Sequence, residues 1–178
     1  MPSPVLVLGG QRSGKSAFAE SLVARSGLEP VYIATGEPGD AEMAARIARH
    51  RARRGPGWRT IEAPLDLAPA IAGECRRGRA VLVDCLTLWL SNLLAVGREP
   101  RSAFAGLERV VAEASGLLVL VSNEVGLGVV PANALARQFV DLAGELHERL
   151  ARCCPTVVLT VAGLPLALKG SLPPTFED

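Results

Sequence analysis

The sequence predicts an α/β fold built on a largely parallel sheet, and three features of the chain carry that prediction. Short β-branched runs alternate with longer helical patterns from one end to the other. The runs are continuously apolar, as in strands buried on both faces, where half-exposed strands would alternate apolar with polar. Punctuation at residues 55–57 (Gly-Pro-Gly) and 97–100 marks loops within one unit, because the strand–helix rhythm continues across both. With 178 residues, one domain is expected, spanning residues 1–170 and followed by a loosely held tail at 171–178 that contains Pro173-Pro174.

The elements follow in order. Val5-Leu6-Val7-Leu8 reads as the first strand and residues 15–26 as an amphipathic helix; Val31-Tyr32-Ile33-Ala34 is the second strand and 40–54 a basic, alanine-rich helix. Trp58-Arg59-Thr60-Ile61 adds a short strand before a helix at 65–76. Ala80-Val81-Leu82-Val83 is a core strand, followed by helices at 86–96 and 102–115. Residues 117–121 form the next core strand, 132–153 a long amphipathic helix, 156–161 the last core strand, and 163–168 a terminal hairpin.

Composition removes several function classes. The chain is 49% hydrophobic with a net charge of +1, the opposite of a disordered segment. The near-neutral balance gives no global attraction for nucleic acid or for an anionic membrane. Cys75, Cys85, Cys153 and Cys154 have no metal-ligand spacing and read as reduced thiols of a reducing compartment. The N-terminus shows no signal-peptide pattern, and the longest apolar stretches fall short of the about 20 residues needed to span a bilayer. A cytoplasmic protein is expected. Basic residues other than arginine are scarce: Lys15 and Lys169 are the only lysines, His50 and His147 the only histidines.

The sharpest motif is Gly9-Gly10-Gln11-Arg12-Ser13-Gly14-Lys15-Ser16, a G-x-x-x-x-G-K-[ST] phosphate loop placed between the first strand and the first helix. Its glycines let backbone N–H groups close around phosphate oxygens, and the helix N-terminus adds a positive dipole end. Lys15 reaches the β- and γ-phosphates and Ser16 can bind Mg²⁺. A bound nucleoside triphosphate is expected. Asp84, which ends an apolar strand, is the candidate second Mg²⁺ ligand, against the alternative that it caps the following helix.

The basic helix places Arg46, His50 and either Arg53 or Arg54 on one face. A solvated helix end would explain this spacing. A functional reading has the arginines neutralise a triphosphate while His50 acts as nucleophile. Neighbouring guanidinium groups push the imidazole toward its neutral form, which has the lone pair that attack on phosphorus needs. His147, within Glu145-Leu146-His147-Glu148-Arg149, reads as a surface residue of the long helix. Asn123 and Glu124, just past a core strand at the carboxyl end where open α/β sheets bind ligands, are candidate substrate contacts.

Taken together, the motifs resemble a known family. They are Gly-Gly-x-Arg-Ser-Gly-Lys-Ser at 9–16, Tyr32-Ile33-Ala34-Thr35, Glu42-Met43 with Arg46-Ile47-x-x-His50, and Trp58-x-Thr60-x-Glu62. Asn123-Glu124-Val125-Gly126, Gly128-Val129-Val130-Pro131 and Leu135-Ala136-Arg137 complete the set. The chain up to about Lys169 resembles the bifunctional adenosylcobinamide kinase / adenosylcobinamide-phosphate guanylyltransferase of cobalamin biosynthesis. That resemblance implies a P-loop, RecA-like sheet flanked by helices and a homotrimer. It also implies two reactions: ATP or GTP phosphorylates adenosylcobinamide, and His50 then carries GMP from GTP to adenosylcobinamide phosphate through a covalent intermediate. By resemblance, GTP is bound by the phosphate loop, by Ala34, Thr35 and Gly36, by Arg51, Ala52, Arg53 and Arg54, and by acidic positions Glu62 and Asp84. Some relatives carry two adjacent histidines at the nucleophile position; here Arg49 precedes His50. Two other readings stand beside this one: a P-loop small-molecule kinase without the guanylyl step, and a RecA-like NTP-driven binding module.

Overall fold

The computed structural model describes residues 3–36, 48 and 54–172. His50, Arg51, Ala52 and Arg53, almost all of the basic helix expected at 40–54, and tail residues 173–178 lie outside the described residues. Within them a seven-stranded sheet has the order β3-β2-β4-β5-β1-β6-β7. Its strands are β1 (Val5–Gly9), β2 (Glu29–Ala34), β3 (Arg59–Glu62), β4 (Arg79–Asp84), β5 (Leu117–Asn123), β6 (Thr156–Val161) and β7 (Leu164–Lys169). All neighbours pair in parallel except β6 and β7, which form the expected hairpin.

The continuously apolar strands are buried on both faces, with alternate side chains entering two separate cores. Val5, Val7, Leu82, Val119 and Val121 face helix α1 (Lys15–Arg25), meeting Phe18, Ala19, Leu22 and Val23. Leu6, Leu8, Val81, Val83, Leu118 and Leu120 face the opposite layer. That layer holds α2 (Leu67–Glu74), α3 (Leu86–Ala95), α4 (Pro100–Ala112) and α5 (Ala134–Cys153), which contribute Ile71, Trp89, Phe104, Leu107, Leu146 and Leu150 to the core. Trp89 and Phe104 meet at 6.1 Å between ring centroids with a 45° tilt, a separation usual for aromatic pairs.

The helix expected at 102–115 begins two residues earlier and ends three residues earlier. Pro100 occupies the first helical turn, where its missing N–H is no loss, and the Glu99 carboxylate caps the helix by accepting from the Arg101 and Ser102 amides at 3.1 and 2.6 Å. Asn133 caps α5 in the same way, accepting from the Ala136 amide at 3.1 Å. All four cysteines are free thiols. Burial and the neighbouring Cys153 push the Cys154 pKa up to about 12, so it stays an unreactive thiol. Among the described residues no helix is long and apolar enough to cross a membrane.

Candidate active site

The phosphate loop leaves the carboxyl end of β1 and enters α1 directly. Gly14 stands at the N-cap with φ +96° and no side chain to cap the first turn, which leaves that turn's amides directed at the space over the loop. Arg12, also in the loop, adopts a left-handed φ of 56°, a conformation costing a non-glycine residue roughly 1–2 kcal/mol. Lys15 is buried and its Nζ donates to the Gly10 carbonyl at 3.1 Å.

The loop rests on the β6–β7 turn, a support with no sequence signal of its own. The Gly163 amide donates to the Ser13 carbonyl at 2.9 Å. Thr160 Oγ1 donates to the Leu8 carbonyl at 3.1 Å, so the Ser13 hydroxyl, 2.9 Å from that same Oγ1, must be the donor of their shared bond. A side chain at Gly14 would come within 3.0 Å of Gly163 Cα, so the two glycines permit the close approach.

The neighbouring strand ends supply the remaining groups. Ala34, Glu62 and Asp84 share one register row across β2, β3 and β4. Thr35, fully buried, ties β2 to β4: its Oγ1 donates to the Cys85 carbonyl at 2.7 Å and accepts from the Cys85 amide at 2.9 Å. The Thr35 carbonyl in turn accepts from Asn92 at 2.8 Å. A side chain at Gly36 would meet Leu88 at 3.1 Å. The cap position of α3 is Cys85. Asp84 therefore does not serve as the cap, and its Oδ2 is buried with no hydrogen-bond partner among the described residues. Asn123 Oδ1, at the end of adjacent β5, is in the same position, while its Nδ2 donates to Thr87 Oγ1 at 2.8 Å. A buried acceptor without a partner costs about 1–3 kcal/mol, and a cation or donor at the strand edge would relieve it. Asp84 and Ser16 thus fit a Mg²⁺ site of the usual kind, in which one or two protein ligands complement phosphate oxygens.

Arg54 lies over the Tyr32 ring at 3.4 Å from its centroid and 3.7 Å from Glu20 on α1. Burial, reinforced by the Asp84 carboxylate, raises the Tyr32 pKa and keeps the phenol protonated. Glu62, at the exposed end of β3, is four strands from the phosphate loop.

His147 corrects the expectation of a surface residue: it is buried, with Nε2 2.7 Å from Ser122 Oγ and Nδ1 3.6 Å from Glu124 Oε2. The buried stripe of α5 includes Ala143, His147 and Leu150, spaced by four and three residues, so His147 sits inside the apolar face. Burial lowers its pKa, with Glu124 opposing the shift. Below about pH 6.5, the ordinary histidine value, the unfolded chain takes up a proton that the folded chain resists, so stability falls with acidification until the lower folded value is passed. Urea denaturation at pH 7.5 and pH 5 should show a larger loss for wild type than for His147→Gln; equal losses would refute the buried neutral ring.

The comparisons with known proteins agree with this geometry. Residues 5–168 match the family described as "Cobinamide kinase / cobinamide phosphate guanyltransferase". The chain belongs to that family. A Pseudomonas aeruginosa relative, "Bifunctional adenosylcobalamin biosynthesis protein CobP", is 54% identical over 167 residues, covering 93% of this chain and 96% of the relative. The Salmonella typhimurium protein "Bifunctional adenosylcobalamin biosynthesis protein CobU" is 39% identical over 180 residues, covering 93% and 99%. Among solved structures, a Pyrococcus horikoshii OT3 protein superposes with a TM-score of 0.56 at 10% identity, covering 97% of this chain and 88% of its own. An ATPase from a type III secretion system superposes at 0.52, also at 10% identity, over 87% of this chain and 50% of its own. These structural likenesses establish the P-loop, RecA-like fold. Within this cobinamide kinase / guanyltransferase family member, the fold gathers the phosphate loop, Asp84, Asn123 and Glu124 at the carboxyl ends of three adjacent strands. The sequence reading missed the residues that hold them there: Thr160 and Gly163 beneath the loop, Thr87 beside Asn123, and Ser122 with His147.

Proposed function

We propose that this chain carries out both activities of its family, cobinamide kinase and cobinamide phosphate guanyltransferase, on one triphosphate site, with His50 as a covalent carrier. The observation that carries the reading is the phosphate loop with its buried Lys15, together with Asp84 Oδ2 at the carboxyl end of β4, two strands from β1, which has no hydrogen-bond partner among the described residues. Loop amides and Lys15 bind the triphosphate of ATP or GTP, and the α1 N-terminus adds its dipole. Ser16 and Asp84 would hold Mg²⁺, which when bound neutralises charge developing on the phosphate oxygens.

In the first reaction the hydroxyl of adenosylcobinamide takes the γ-phosphoryl group. In the second, a His50 nitrogen attacks the α-phosphorus of GTP, pyrophosphate leaves, and a phosphate oxygen of adenosylcobinamide phosphate displaces His50 to give adenosylcobinamide-GDP. Splitting the transfer in this way replaces one hard displacement with two easier ones. Arg51, Arg53 and Arg54 supply positive charge beside His50, and Ala34, Ala52, Gly36 and Glu62 complete the nucleotide contacts, while the buried Thr35 supports them from beneath through its bonds to Cys85 and Asn92. Asn123 and Glu124 contact the acceptor.

The protein works in the cytoplasm without a nucleic-acid partner, in keeping with its net charge of +1. It assembles as a homotrimer. Exposed apolar side chains at Leu127, Val129, Val130 and Leu135, and at Leu164, Leu166 and Leu168 on β7, are surfaces that assembly could cover.

Incubation with α-labelled GTP and Mg²⁺ tests the covalent step. Wild type should acquire acid-labile, alkali-stable label, as a histidine phosphoramidate does, and His50→Ala should acquire none. Equal labelling of the two proteins would refute the mechanism.

A further inference from the structure

Behind Glu124, placed above at the acceptor, lie two buried polar residues, Ser122 and His147, to which the chemistry above gives no role. Ser122 and Glu124 are two residues apart, Ser122 on β5 and Glu124 just beyond its end, and α5 lays His147 against both. The Glu124 amide donates to the Gly9 carbonyl at 2.9 Å, which fixes the residue against the first position of the phosphate loop. Glu124 Oε1 accepts from the Gly126 amide at 2.6 Å, and Oε2 is the oxygen facing the imidazole. The Glu124 side chain is 22% exposed and His147's only 8%, so solvent reaches the carboxylate while the ring behind it is closed off.

Electrostatics selects the ring tautomer. A lone pair on Nδ1 would repel the carboxylate, so the proton lies on Nδ1, and Nε2 accepts from the Ser122 hydroxyl. Three residue types found in hydrolase triads are present, but Ser122 is fully buried and cannot reach a substrate. Its hydroxyl orients the ring, and the ring orients the carboxylate. Each carboxylate oxygen has two lone-pair sites, so Oε2 retains one for a further donor.

We propose that Glu124 is the base that receives the acceptor hydroxyl's proton in the kinase step, and that His147, braced by Ser122, is the positioning residue that holds Glu124 beside the phosphate loop. This rests on the kinase reading above. As the hydroxyl oxygen forms its bond to the γ-phosphorus, its proton passes to Glu124 Oε2. The bond from the γ-phosphorus to the β,γ-bridging oxygen breaks, the nucleoside diphosphate leaves with that electron pair, and Glu124 later returns the proton to water. Asp84 is less suited to this role, because its Oδ2, buried and without a hydrogen-bond partner among the described residues, is the oxygen that would hold Mg²⁺ in the function proposed above.

The test is steady-state phosphorylation of cobinamide by the full chain, with GTP affinity measured separately. Glu124→Gln should lower kcat by about 100-fold or more, the usual worth of a general base. His147→Ala should lower kcat by about tenfold while KM and the GTP Kd stay within about threefold, because positioning alone is lost. His147→Gln, which can still donate toward Glu124, should recover most of kcat. Ser122→Ala, which leaves the ring in place, should show a smaller kcat loss in the same direction and serves where His147→Ala does not fold. A kcat within about twofold of wild type in folded His147→Ala or Glu124→Gln would overturn the proposal, as would equal loss in the Ala and Gln variants of His147. A wild-type protein that transfers no phosphoryl group to cobinamide would overturn the kinase reading itself, and this proposal with it.

Discussion

Lys15→Ala should abolish both activities together, lowering kcat/KM for phosphorylation and for guanylyl transfer by about 10²–10³-fold, the usual loss when one preorganised electrostatic donor is removed. Lys15 is 5% exposed, and its ammonium donates to the Gly10 carbonyl within the loop itself. A buried ammonium must keep strong acceptors around it, and triphosphate oxygens are stronger acceptors than a neutral carbonyl. The loop is therefore set to exchange one for the other when nucleotide arrives. Both reactions start from a triphosphate in this loop, one breaking the bond at the γ-phosphorus and the other at the α-phosphorus. Parallel assays on one preparation of the variant check the point. Full kinase turnover with guanylyl transfer lost would separate the two sites and refute the shared one.

Gly9→Ala should destabilise the fold and lose the nucleotide, although the substitution adds only a methyl group. A Cβ at this position would lie 2.4 Å from Ser13 Oγ, 2.4 Å from Thr160 Oγ1 and 2.8 Å from the Thr160 carbonyl oxygen. That carbonyl belongs to β6, which is paired in register with β1 at this residue, so it cannot retreat without disturbing the sheet. The two hydroxyls are the links that carry the loop's support from Ser13 through Thr160 to Leu8. Overpacking alone costs about 1–3 kcal/mol, and stranding a buried hydroxyl adds about 1–3 kcal/mol. Urea denaturation and GTP titration measure the two consequences. Gly10→Ala is the control for stability, since a Cβ there meets nothing within 4 Å, and it should stay within about 1 kcal/mol of wild type. Equal stability of the Gly9 and Gly10 variants would show that the β6–β7 turn does not brace the loop.

Much of the site was legible because its signals are local. The phosphate loop needs only eight consecutive residues placed between a strand and a helix, and both neighbours formed as expected, β1 over Val5–Gly9 and α1 over Lys15–Arg25. Asp84 announced itself by ending an apolar strand, and Asn123 and Glu124 by following one. His147 was misread for an identifiable reason. Charged neighbours at Glu145, Glu148 and Arg149 suggested a solvated face, whereas the spacing from Ala143 and to Leu150 belongs to the buried stripe. Its partners Ser122 and Glu124 lie more than 20 residues away, beyond the reach of any helical period.

Taken by itself, the sequence determined the α/β class, the nucleotide loop and the family, because strand burial, helix periodicity and a contiguous motif are written in neighbouring residues. Tertiary structure decided the strand order and which side chains meet across it. The Ser13–Thr160 bond joins residues 147 positions apart, and the Thr35–Cys85 tie joins residues 50 apart. Such contacts depend on how helices on both faces press on a common sheet, so the supports beneath the phosphate loop and behind Glu124 became visible only once the chain was folded.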